Sequence, residues 1–148
     1  MDKKAALAEL AEIKERTRIL EKIIEDDDIP SLMKKVKNYS DLCKVKGFNE
    51  LTESDFMFLA PEKRKKAVLF DKLQNINQVF EFKPDWKNRN QSKWRPYFER
   101  TASGWVFRSL CCVGYGSTAE VGFYETEEIS NYVGKTFLKE HTEFIEIQ

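Results

Sequence analysis

The side chains able to do bond-making chemistry are few and badly spaced for it. His141 is the one histidine, and it sits in a charged C-terminal segment between Glu140 and Glu143. It reads as a surface or boundary residue, because a thiol–imidazole pair would need Cys43, Cys111 or Cys112 to fold back onto it. One His and no Cys-x-x-Cys leave no spacing from which to build a zinc site. Among 25 acidic residues no two are singled out as an acid–base pair. Gly114-Tyr-Gly116 looks like a phosphate-cradling loop, yet that function needs a helix after the loop, and here the pattern is a tight turn between strands. No cofactor or metal is expected, and the chain reads as non-enzymatic.

What remains is recognition. KPDWKNRNQSKWRPYFER, residues 83 to 100, interleaves Trp, Tyr and Phe with Lys and Arg. Single-strand binders combine such cations with flat side chains on which bases stack. Strand alternation from Trp94 divides the stretch. Trp94, Pro96 and Phe98 fall on one face and read as core; Arg95 and Tyr97 fall on the other. The candidate nucleic-acid-binding set is therefore Trp86, Lys87, Arg89, Lys93, Arg95, Tyr97 and Arg100. Trp86 reads two ways, as a stacking platform or as a plug at the edge of the core. Four cations at Lys63 to Lys66 open a helix against its macrodipole and read as a solvated face or a second basic turn.

These residues need a frame. With 148 residues, 41% of them hydrophobic, 13% aromatic and 34% charged, the chain can close a core without disulfides or metal. Net charge is zero but uneven: 83–108 is basic, whereas beyond Ser117 Glu outnumbers Lys135 and Lys139. Three cysteines without framework spacing point to reduced thiols. MDKKAALAEL lacks the apolar core of a signal peptide, and no apolar run is long enough to span a bilayer. A cytoplasmic protein with no membrane partner is expected.

Residues 3 to about 25 predict one long helix. Ala6, Leu10, Ile13, Thr17, Leu20 and Ile24 step by four and three, a heptad seam. The seam either packs on the rest of the chain or pairs with another copy, so Leu10, Ile13, Thr17, Leu20 and Ile24 are candidate oligomerisation residues. Asp26-Asp27-Asp28 and Pro30 end the helix, which divides the chain into an arm, 1–28, and an α+β domain, 29–148. Short helices are expected from Ser31 and from a Ser40 N-cap to Gly47, and Phe56 to Leu59 are expected to lie over the core. A helix from Glu62 to about Phe80 follows, with Ala67, Phe70, Leu73, Ile76 or Asn77, and Phe80 as its stripe. Three antiparallel strands come next: 94–98, 105–113 after a Thr101–Gly104 turn, and 119–124. A single last helix capped by Thr126, with Ile129, Val133, Phe137 and Phe144 inward, packs on this meander.

Lys83-Pro-Asp-Trp86, then Asn88, Asn90, Lys93 and an aromatic-Arg-Pro-Tyr-Phe98 block, resembles a motif of uncharacterised proteins from gut Bacteroidetes, their phages and mobile elements. Lys72–Ile76, Glu127–Phe137 and, more loosely, Val36–Cys43 also fit, so the resemblance spans roughly residues 34 to 146. Val79-Phe-Glu-Phe82 departs from the Asn-Glu-Gly usual there, and His141 stands where the family tends to have an aromatic. The resemblance implies a context and no activity. Two functions are then expected: a nucleic-acid-binding accessory protein of a phage or mobile element, or a protein–protein assembly module that forms homo-oligomers through its first helix.

Overall fold

The computed structural model describes residues 2–112 and 122–147, without the side chains of 22–27 and 112. The chain divides into two compact units, Met1–Lys35 and Val36–Gln148. Among the described residues, no helix is long and apolar enough to cross a membrane.

The first unit is a helical arm. Helix α1 (Lys3–Asp27) starts where the Asp2 carboxylate accepts the Lys4 N–H. Its surface carries the ion pairs Glu12–Arg16 at 2.6 Å and Glu15–Arg18 at 2.8 Å, both solvated and weak. The three aspartates do end the helix, and α2 (Ile29–Lys35) begins immediately. Asp28 makes this abrupt restart workable. Its carboxylate accepts the Ser31 N–H at 2.7 Å, a bond that holds it below the usual carboxylate range. Pro30 lies in the first turn, where no N–H is needed. Both α1 and α2 belong to this first compact unit.

The second unit is the α+β body: α3 (Tyr39–Lys46), a 3-10 turn (Glu53–Phe56), α4 (Pro61–Phe80), strands β1 (Lys93–Thr101) and β2 (Gly104–Cys112), α5 (Glu127–Thr136) and α6 (Leu138–Glu146). Helix α3 stops at Gly47, as read. Its N-cap is Asn38 rather than Ser40, because the Asn38 side chain accepts the Asp41 N–H at 2.9 Å. Helix α5 is capped by Thr126 as expected. The single last helix is in fact two, since Phe137 leaves helical geometry with φ −112° and ψ 27°.

The expected three-stranded meander is corrected to a two-stranded antiparallel hairpin among the described residues. Among its described residues, the segment read as a third strand meets the sheet at Tyr124, which exchanges N–H···O bonds of 3.1 and 2.7 Å with Trp94. The neighbouring Phe123 carbonyl accepts the Phe82 N–H instead. Gly122 lies against the Asn77 side chain. Further pairing along β1 from this bridge would meet Pro96, which has no N–H to donate. The first part of that segment, 119–121, and the Gly114–Gly116 turn lie outside the described residues.

The core sits between α3, α4, α5 and the start of α6. Val36, Leu42, Ile76, Phe80, Val133 and Phe137 are all at or below 1% exposure, each worth roughly 1.5–3 kcal/mol of burial. Phe80 packs on Tyr132 and Phe137 with ring centroids 5.4 and 6.0 Å apart. Buried hydroxyls are satisfied: Tyr124 donates to Asn77 Oδ1 at 2.7 Å, and Tyr132 donates to the Val36 carbonyl.

Two expected core patches are not core. Phe70 is 54% exposed, because the buried line of α4 runs through Leu69, Ile76 and Phe80. The Phe56–Leu59 cluster does not cover the core either: Met57 and Phe58 are 61% and 80% exposed. A reciprocal Thr52–Asp55 capping box sets the turn that carries them outward. One of the four crowded cations is thereby explained, since Arg64 Nε donates to the Leu59 carbonyl at 3.0 Å.

Candidate nucleic-acid interface

The loop leading into β1 is a chain of side-chain turns. Asp85 Oδ1 accepts the Lys87 N–H, Asn88 Oδ1 accepts the Asn90 N–H, and Gln91 Oε1 accepts the Asp85 N–H at 2.6 Å. Lys93 closes it from beneath. The residue is fully buried, and its ammonium donates to the Asn88 and Gln91 carbonyls at 3.1 and 2.9 Å. The same ammonium lies over the Trp86 ring, 5.4 Å from its centroid. Trp86 in turn meets Phe123 edge-on at 5.0 Å. Trp86 is half-buried, with contacts of the kind the plug reading expects. Lys93 and Trp86 are spent on structure, whereas Lys87 and Arg89 remain exposed on the loop.

The hairpin then sorts the rest. Its turn is the one expected, with Thr101 opposite Gly104, whose φ of 119° suits glycine. One face is covered by α5 and α6. Ser109 Oγ lies 2.9 Å from Ser130 Oγ, and Phe98 stacks on His141 at 4.8 Å. A Cβ added at Gly134 of α5 would lie 2.7 Å from the Phe107 ring and 3.0 Å from Pro96, so the glycine permits this close approach. Arg100 belongs to the covered face as well. It pairs with Glu146 at 3.2 Å, and the same carboxylate accepts Trp105 Nε1–H at 2.8 Å.

Alternation leaves Arg95 and Tyr97 on the opposite face, where the register sets them directly across from Leu110 and Arg108. Tyr97 is 46% exposed and Leu110 39%. Arg95 is half-buried, and its Nε is buried without a hydrogen-bond partner among the described residues. Arg108 is exposed and makes a 3.7 Å ion pair with Glu99. Two guanidinium groups thus share one face with an accessible phenol ring. Arg108 and Leu110 were missed from sequence, although the Thr101–Gly104 turn already implied that Tyr97 pairs with residue 108.

His141 and Cys43 are withdrawn from solvent, whereas the Cys111 thiol is exposed. His141 is not at the surface or boundary but 6% exposed, with Nδ1–H donating to the Phe137 carbonyl at 2.9 Å, and burial lowers its pKa. Burial pushes the Cys43 thiol up, away from the nucleophilic thiolate. Among the described residues no three His, Cys, Asp or Glu side chains gather as metal ligands. An open cleft of about 480 Å³ beside α4 is lined by Glu50, Glu53, Glu143, Lys65 and Lys72 but by no His or Cys.

No protein-family model, curated protein or solved structure matches the chain. The resemblance carried by the Lys83–Trp86 block gains no support from these comparisons.

Proposed function

We propose that the outer face of the β1–β2 hairpin binds single-stranded nucleic acid, with Tyr97 as the stacking surface and Arg95 and Arg108 engaging the backbone. The observation that carries this reading is the exposed Tyr97 ring lying directly across the ladder from Arg108, on the face turned away from α5. An aromatic flanked by cations on an antiparallel sheet suits a base and its phosphates together. Lys87 and Arg89, on the loop entering β1, extend the positive potential toward the strand end. On the resemblance of the Lys83-Pro-Asp-Trp86 block, the role is that of a non-enzymatic accessory protein of a phage or mobile element.

Fluorescence anisotropy with labelled single-stranded DNA and RNA tests it. Binding is expected at low salt and falls steeply as salt rises. Tyr97→Ala weakens it about tenfold, within the range of one lost stacking contact. Arg108→Glu weakens binding and reduces the salt slope by about one. A wild-type chain that binds neither polymer at low salt refutes the reading, as does unchanged affinity in the Tyr97→Ala, Arg108→Glu double variant.

A further inference from the structure

We propose that α1 joins two copies of this chain as a parallel, in-register coiled coil, an inference independent of the nucleic-acid reading. The 25-residue helix is about 38 Å long. In heptad terms Leu10, Thr17 and Ile24 occupy a positions, and Ala6, Ile13 and Leu20 occupy d positions. Leu10, Ile13 and Leu20 are 48%, 53% and 59% exposed, so the seam carries apolar surface open to solvent. The Ile24 side chain lies outside the described residues. Thr17, the polar member, already donates its hydroxyl to the Ile13 carbonyl at 2.9 Å, so it brings no unsatisfied donor into the seam.

The flanking charges select the occupant. Glu9 and Arg16 are g residues; Lys14 and Glu21 are e residues. In a parallel pair each g residue faces the e residue of the following heptad on the other helix. Glu9 then meets the second copy's Lys14, and Arg16 meets the second copy's Glu21. Two-fold symmetry repeats both attractions on the opposite side. A fully overlapped antiparallel pair sets Arg16 against Arg16 and Lys14 against Lys14, which is repulsive. Arg16 is held in its own helix by Glu12 at 2.6 Å, but that pair is solvated, with the Arg16 side chain 75% exposed. It costs little to share or release.

Sedimentation equilibrium of the full chain decides the matter. At tens of micromolar the wild type has twice the mass of the 17.4 kDa chain. Lys14→Glu with Arg16→Glu sets like charges across both parallel contacts and gives a monomer, and so does Glu9→Lys with Glu21→Lys. Mixing the two variants restores every attraction and brings back the dimer mass. Trp86, Trp94 and Trp105 all lie in the second unit, so their fluorescence checks that each variant keeps a folded body. A monomeric wild type, or a Lys14→Glu, Arg16→Glu variant that stays dimeric, overturns the proposal. A pair of variants that remain monomeric when mixed overturns it too.

Discussion

Lys93 holds the 85–92 loop closed through the Asn88 and Gln91 carbonyls while its ammonium lies over the Trp86 ring. Lys93→Met keeps the stem and removes the donors, so two carbonyls lose a partner. The expected loss is about 1–3 kcal/mol of unfolding free energy, read from urea titration of tryptophan emission. Retained stability in that variant would contradict the structural role. His141 supplies a pH dependence. Its imidazole, ordinarily near 6.5, is held lower by burial, with the Phe98 ring stacked on it, and the hydrogen bond to the Phe137 carbonyl offsets part of that shift. The unfolded chain therefore takes up the proton first as pH falls. Stability present above about pH 6.5 is lost as pH drops through the folded value. Glu140, raised by burial, acts in the opposite sense: its contribution is present below its ordinary 4.5 and is lost as pH rises through its folded value. His141→Phe preserves the ring stack and cannot titrate. Thermal melts between about pH 7 and 5 are expected to show a flatter profile for this variant than for the wild type. Identical profiles would remove His141 as the source.

At the scale of elements, the contact between α5 and the hairpin rests on Gly134. Alanine there gains helix propensity of up to about 1 kcal/mol. It also sets a methyl against Phe107 and the rigid Pro96 ring. Overpacking of this kind costs about 1–3 kcal/mol, so a net destabilisation is expected, larger for Gly134→Val. A lower melting midpoint for both, with valine the lower, is the outcome that fits. Helix ends and the hairpin were legible because their determinants are local: Thr126 and Gly47 act through backbone groups a few residues away, and Thr101–Gly104 fixes the register. The third strand was not legible. Tertiary packing decides which edge of β1 faces 122–124, and on that edge Pro96 has no N–H for the next bond beyond the Trp94–Tyr124 bridge.

At the scale of the molecule, an arm that pairs two copies would present two hairpin faces to one polymer. Together the two proposals predict that Ile13→Asp with Leu20→Asp lowers apparent affinity for a long single strand, on the order of tenfold or more, while affinity for a short oligonucleotide stays the same. Equal loss on both lengths would point to damage in the hairpin itself.

The sequence by itself determined the long heptad helix, the α+β class, most helix ends and the division of 94–98 into two faces. Each follows from periodicity or from capping within a few residues. Only the tertiary structure decided where each cation lies. Lys93 and Arg100 look alike with Arg95 and Arg108 in the sequence. Lys93 is buried with its ammonium over the Trp86 ring, whereas Arg100 stays exposed and pairs with Glu146 where the hairpin meets α6. Burial and pairing of a charge depend on elements that converge in space, and alternation along a single strand carries no record of them.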